Sequence, residues 1–338
     1  MAAVKLSRIG ELALLEQIRK NFSEKSGNVL VGIGDDAAVV KPVNMQLLVT
    51  TDMMVEGVHF DLRFSTPYQL GFKLISANVS DIYAMGGRPF YFLLNIAANK
   101  NTAKGFIDML FKGVKDAMHM YRTCLIGGDL SAAEKGMYFS ATLIGYARKS
   151  IKRAGAKIGD RIYVTGTLGD SACGLELLKK MKRPSPLEMR RSAQALSNEI
   201  SGSGLSWKMV EPLLRRHLLP VARNPERFVH AATAMIDISD GLLIDLTRLC
   251  DESRVGARLY EENIPLSPGL KKAASYLGIS PLTLSLSGGE DYELLFTAPS
   301  RKKVKAIYIG DIVESKRVIV DTFGKEKRFS AEGYRHFG

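Results

Sequence analysis

The sequence lacks long apolar runs, paired cysteines, histidines at ligand spacing and a P-loop, and each absence excludes a class of protein. No stretch approaches the roughly 20 consecutive apolar residues that a bilayer-spanning helix needs. The start, Met1-Ala2-Ala3-Val4-Lys5-Leu6, has no apolar core of the signal-peptide kind, so the expected compartment is the cytoplasm. Cys124, Cys173 and Cys250 are far apart and form no Cys-x-x-Cys pair, which argues against a disulfide framework or a zinc site. His59, His119, His217, His230 and His336 are not paired at metal-ligand spacing, and no nucleophile elbow stands out. The G-x-x-x-x-G-K-[ST] pattern is absent, which removes the P-loop route to nucleotides. The net charge of +12 is spread over clusters such as Lys179-Lys180 and Arg301-Lys302-Lys303, without interleaved aromatics. That pattern fits a solvated surface that attracts small anions rather than a nucleic-acid-binding face.

What the chain does have is a recurring acid among Gly, Ser or Thr after a short apolar run. It occurs as Gly32-Ile33-Gly34-Asp35-Asp36, Thr50-Thr51-Asp52, Asn78-Val79-Ser80-Asp81, Gly127-Gly128-Asp129, Asp237-Ile238-Ser239-Asp240-Gly241 and Gly288-Gly289-Glu290-Asp291. Carboxylates gathered at strand ends are costly unless a cation holds them. Hard oxygen donors without His or Cys suit Mg²⁺, and Mg²⁺ with few protein ligands points to phosphates. Gly32 to Ala37 matches G-x-G-x-x-A, but no helix follows and two Asp would repel a pyrophosphate placed on that turn. In Asp237 to Gly241, both Asp converge on one cation if the chain turns into a helix there. Alternatively, Ser239 is an ordinary helix cap. Gly166 to Asp170 reads either as an anion-binding loop or as a plain turn between strand and helix.

The 338 residues suffice for two domains. Helices are predicted over 5–22, 67–85, 103–121, 171–180 and 242–251. Strands are predicted at 29–31, 37–40, 46–50, 91–97, 124–126, 138–147, 161–165, 235–238, 294–297 and 307–310. A basic stretch near 149–160, punctuated by Gly155 and Gly159, marks the junction between a domain of residues 1–150 and one of 151–338. Residues 181–206, rich in Ser, Arg and Lys, read as a mobile surface segment or an inserted helix. The mixture of strands and helices argues an α/β or α+β fold.

The segments GIGDDAAV (Gly32–Val39), TDMMVEGVHF (Thr51–Phe60), NVSDIYAMGG (Asn78–Gly87), IGGD (Ile126–Asp129), GAKIGDRIYVTGTLG (Gly155–Gly169), DISDGLLIDL (Asp237–Leu246) and SGGEDYELLF (Ser287–Phe296) resemble the thiamine-monophosphate kinase family over nearly the whole chain. Several are shared with the wider AIR synthetase-like superfamily; the VEGVHF and SGGEDYELLF segments together point to the thiamine-phosphate member. The resemblance implies two α/β domains, an N-terminal ATP- and Mg²⁺-binding domain that pairs into a dimeric β-barrel, and a C-terminal domain closing the active-site cleft. It implies several Mg²⁺ ions, ATP as co-substrate and thiamine monophosphate as acceptor. The positions matching magnesium ligands are Asp36, Thr50, Thr51, Asp52, Asp81, Asp129, Asp237 and Asp240. Gly128, Asp129, Arg153 and Ser239 match nucleotide contacts, and His59, Glu290 and Tyr334 match substrate contacts. Asp36, Asp52, Asp129, Asp240 and Arg153 are the implied catalytic set. After Asp129 the family often has Thr-Thr, whereas Leu130-Ser131 stand here. Rival readings are another enzyme of the superfamily or a basic regulatory protein that keeps the ATP fold without catalysis.

Overall fold

The structure, a computed structural model, describes residues 4–22, 27–33, 37–180 and 205–334. Asp36 and all but the last two residues of the 181–206 segment lie outside the described residues. The chain divides into two compact units, one of Met1–Ile82 with Gly87–Lys149, the other of Tyr83–Gly86 with Ser150–Gly338.

The first unit begins with α1 (Leu6–Ile9) and α2 (Glu11–Asn21), separated at Gly10 where the periodicity predicts one helix. β1 (Val29–Val31) and β2 (Val39–Val40) form an antiparallel pair. β3 (Gln46–Val55), α3 (Pro67–Ala84), β4 (Arg88–Ala98), α4 (Lys104–Tyr121), β5 (Cys124–Ala132) and β6 (Tyr138–Ala147) follow. The larger sheet runs β3-β6-β4-β5. Only β4 and β5 are parallel, and α4 supplies the crossover that a parallel pair requires. Ile75 and Val79 of α3, Val114 of α4, and Phe92, Phe139 and Leu143 of the strands are fully buried together in this unit's core.

The second unit contains β7 (Asp160–Val164), α5 (Asp170–Lys180), α6 (Trp207–Leu218), β8 (Ala234–Asp237), α7 (Leu242–Ser253), β9 (Gly256–Tyr260), α8 (Pro268–Leu277), α9 (Pro281–Ser287), β10 (Leu294–Pro299), β11 (Ile307–Val313), β12 (Arg317–Val320) and β13 (Glu326–Arg328). Its sheet runs β13-β12-β9-β11-β7-β10-β8, with β9 and β12 the parallel pair. Side-chain alternation covers both faces. Ile162, Val164, Ile236 and Leu295 pack with Leu242, Leu246 and Leu249 of α7. Tyr163, Met235 and Phe296 face the other way, against Phe228 and Ala231. Cys173 and Cys250 are buried, Cys124 is half-buried, and all three are free thiols.

An α/β fold of two units with mixed sheets is therefore present, but the barrel expectation is corrected. Among the described residues no sheet closes on itself. The four-stranded sheet ends at β3 on one edge and β5 on the other, and these strands do not pair. Four strands are too few to close around a filled interior, which takes about eight.

Candidate active site

Three of the acid-bearing motifs do not sit at strand ends. Thr50-Thr51-Asp52 lies within β3, and Gly127-Gly128-Asp129 within β5. Asn78 to Asp81 lies inside α3. The ten-residue pairing of β3 with β6 carries the ladder straight through the polar residues, which the apolar pattern alone does not reveal.

In the first unit, β3 and α3 bring two of these motifs together. The Thr50 hydroxyl donates to Asp81 Oδ2 at 2.5 Å, and the Asp52 amide donates to Asn78 Oδ1 at 3.2 Å. Thr51, one residue out of phase, faces the opposite side of the sheet, where its hydroxyl donates to the Ala141 carbonyl at 3.1 Å. Asp52 pairs with Ala141, Ala141 with Leu94, and Leu94 with Gly128. Asp129 therefore stands three strand spacings, about 14 Å, from Asp52. Gly128 has φ 151°, and a Cβ there would overlap the Leu94 carbonyl, so β4 and β5 admit only glycine at this point. The His59 Nδ1 accepts the Val55 amide at 3.1 Å, which leaves the ring proton of the neutral form on Nε2.

In the second unit, the Asp237 to Gly241 motif joins β8 to α7. Ser239 does not cap the helix. The N-cap is Gly241, and the turn before the helix is tied down by Asp245, from the first turn of α7 itself. Its carboxylate accepts the amides of Ser239, Asp240 and Gly241 at 3.1, 3.1 and 3.2 Å. Arg248 Nη1 donates to Asp245 Oδ1 at 2.7 Å and to Asp240 Oδ2 at 2.6 Å. Burial pushes the Asp245 carboxyl up to about 6, and the neighbouring Asp240 charge adds to the rise.

The loop after α9 docks on this turn. The Glu290 amide donates to the Ser239 carbonyl at 2.7 Å, the Tyr292 amide to Ile238 at 2.9 Å, and the Tyr334 amide to Asp240 at 3.1 Å. A Cβ at Gly289 would press on the Ser239 carbonyl oxygen, at 2.5 Å, so the close approach of the two motifs needs that glycine. Asp240, Ser239, Glu290 and Tyr334 thus converge. Arg153 is exposed at the other end of α7, where its carbonyl accepts the Ser253 hydroxyl at 2.8 Å. A helix of this length separates it from Asp240 by about 18 Å.

The Gly166 to Asp170 loop does present amides to an anion, but the anion is the protein's own. Asp291 Oδ2 accepts the Gly169 amide at 2.5 Å and Oδ1 the Ser171 amide at 3.0 Å. Burial raises this carboxyl to about 7, against the opposing pull of those two amides. Glu293, with no exposed side-chain surface, accepts from Arg216, Arg223 and Thr165 at 2.6–2.7 Å. Sequence reasoning missed Asp245, Arg248, Arg216 and Arg223. Asp245 and Arg248 share a helix face at i, i+3, a local signal that was available; the partners of Glu293 lie 70 and 77 residues away and leave none.

Among the described residues no three His, Cys, Asp or Glu side chains gather as a ready-made metal cage. The donors are instead paired oxygens, Thr50 with Asp81 and Asp237 near Asp240. That donor set fits Mg²⁺, which keeps several waters and takes one or two carboxylates together with phosphates.

Residues 34–147 match the N-terminal domain, and residues 157–321 the C-terminal domain, of AIR synthase related proteins. The chain is 35% identical over 340 residues to the thiamine-monophosphate kinase of Aquifex aeolicus, covering 99% of this chain and 100% of that one. The solved AaThiL complex with AMPPCP and TMP is similar over 100% of both chains, at 32% identity and a TM-score of 0.73. A thiamine-monophosphate kinase structure from Stenotrophomonas maltophilia K279a is similar over 94% of this chain and 98% of that one, at 28% identity and a TM-score of 0.77. The chain belongs to the thiamine-monophosphate kinase family.

Proposed function

We propose that the chain transfers a phosphoryl group from ATP to the phosphate of thiamine monophosphate directly, in line and without a phosphoenzyme. The chain is an ATP-dependent thiamine-phosphate kinase, a transferase that makes thiamine diphosphate. The observation that carries the reading is the meeting of Asp240, Ser239, Glu290 and Tyr334 in a chain matched end to end by this family.

The acceptor is a phosphate oxygen, already anionic near neutral pH, so no strong general base is needed. The obstacle is repulsion between two phosphate groups. Bound Mg²⁺ would supply the charge neutralisation and in-line alignment that such a transfer requires. Thr50, Asp52 and Asp81 in the first unit are assigned to bound Mg²⁺, as are Asp237 and Asp240 in the second; Asp36, Thr51 and Asp129 are added by family resemblance. Gly128, Arg153 and Ser239 are assigned to the nucleotide. His59 presents Nε2–H as a donor, which suits an anionic acceptor. Glu290 and Tyr334 are assigned to the thiamine side, where a carboxylate suits the cationic thiazolium ring. A cytoplasmic homodimer completes the proposal. No helix among the described residues is long and apolar enough to cross a membrane.

The test is ADP release with Mg²⁺–ATP, comparing thiamine monophosphate, free thiamine and a formylglycinamidine nucleotide. Turnover is expected with thiamine monophosphate alone. Asp240→Asn is expected to lower kcat by at least about 100-fold while circular dichroism stays native. Turnover with the formylglycinamidine nucleotide would discard the substrate. A trapped covalent phosphoprotein would discard the in-line step.

A further inference from the structure

Two side-chain-bearing residues within three positions, Glu290 at φ 64° and Tyr292 at φ 50°, adopt the left-handed backbone. Such strain persists only where the surroundings over-determine it, and it concentrates at functional sites. Here the surroundings are identifiable. The backbone amides of both residues are held by Ile238 and Ser239. The acids that follow are held in turn: Asp291 by the Gly169 and Ser171 amides at the start of α5, Glu293 by Arg216 of α6 and Arg223 beyond it. Asp291 and Glu293 have no exposed surface. Glu290 differs from them, for its side chain keeps 29% exposure.

His217, beside Arg216 on α6, is only 5% exposed and takes no part in the chemistry assigned so far. Its Nδ1 lies 3.1 Å from Glu290 Oε2 and 3.2 Å from the hydroxyl of buried Ser171. A carboxylate only accepts, so this contact puts a proton on Nδ1. Ser171 is itself fixed, because its amide is bound to Asp291. The ring therefore has a defined orientation and hands that orientation to Glu290. A carboxylate already held in one rotamer spares a ligand the cost of selecting it.

We infer that His217 is the positioning residue that holds the Glu290 carboxylate ready for the thiamine side of the acceptor. The inference rests on the proposed substrate role of Glu290. It assigns His217 to acceptor affinity and not to the transfer step.

Steady-state kinetics of the full chain decide it. His217→Ala is expected to raise KM for thiamine monophosphate about five- to tenfold, with kcat and KM for ATP within about twofold of the parent. His217→Asn, whose side-chain amide nitrogen stands where Nδ1 stood, is expected to restore most of the affinity. His217→Phe fills the volume without the hydrogen bond and is expected to behave as His217→Ala, so it serves if the smaller variant does not fold. Glu290→Gln is measured alongside and is expected to raise the same KM. In that background His217→Ala is expected to add little. If Glu290→Gln raises the KM and neither His217→Ala nor His217→Phe does, the positioning role is wrong while Glu290 keeps its substrate role. If Glu290→Gln leaves the KM unchanged, the role of Glu290 falls and the inference falls with it. A parallel loss of kcat and ATP affinity in His217→Phe, unrescued by Asn, would make the histidine merely structural and overturn the inference.

Discussion

Asp291 is wholly buried, yet its carboxylate anchors the start of α5 by accepting the Gly169 and Ser171 amides. Removal from water outweighs those amides and lifts its carboxyl from 3.8 to about 7. Asp245 is lifted to about 6 for the same reason, with the Asp240 charge adding to the effect. The sign of the linkage is opposite to that of an exposed ion-paired acid. Below about pH 4 both the folded and the unfolded chain carry these protons. Between about pH 4 and 7 the unfolded chain releases them and the folded chain retains them, so rising pH favours unfolding across that window. Thermal denaturation of the parent and of Asp291→Asn between pH 4.5 and 7.5 tests this. The Asn side chain cannot ionise, so the melting-temperature gap between the two is expected to close as pH rises. A gap that widens with pH would mean that the two amides, not burial, govern Asp291.

At the scale of elements, α6 and β10 are joined through one buried carboxylate. Glu293 immediately precedes β10, and Arg216 of α6 and Arg223 just beyond it supply the compensating charge. Glu293→Ala would leave Arg216, whose side chain is 15% exposed, facing a vacated site. The expected cost is about 3–5 kcal/mol, read as a shift in the urea midpoint without a change in slope. Glu293→Gln is expected to cost less, since its amide oxygen still accepts from one Arg. A loss under 1 kcal/mol for Glu293→Ala would show that the pair merely balances its own desolvation. Such a junction was not legible in the sequence, because SGGEDYELLF shows three acids and none of their partners. The elements themselves were more open to reading. Leu110, Val114, Ala117 and Tyr121 mark the buried face of α4 at helical spacing, while Met109 is 43% exposed. β3 and β5 were read as short strands delivering acids to loops, because polar residues hide a ladder that only pairing with β6 and β4 reveals. Ser239 was read as a possible cap for α7; Asp245 instead reaches back from within the helix to the amides of the turn before it, a geometry that cap preferences do not describe.

At the scale of the molecule, β3 ends the four-stranded sheet among the described residues and presents an apolar outward row. Leu47, Val49 and Met53 are 58, 62 and 56% exposed, while Leu48 and Met54, in the opposite phase, are buried. Edge strands of isolated proteins are ordinarily blunted by charge, proline or a bulge. Positions 47, 49, 51 and 53 carry Leu, Val, Thr and Met, and the pairing with β6 runs without a bulge. A net charge of +12 would keep copies of this chain apart unless a local apolar contact outweighs it. The proposed homodimer gives this row a partner, and Val49 stands at its centre. Sedimentation velocity at micromolar concentration is expected to give about twice the 37.1 kDa chain mass for the parent protein. Val49→Asp is expected to give the single-chain mass with a melting temperature lowered only slightly, since Val49 makes little burial within its own chain. A parent protein that sediments as one chain would remove the homodimer from the proposal. A Val49→Asp protein that remains dimeric would move the interface away from β3.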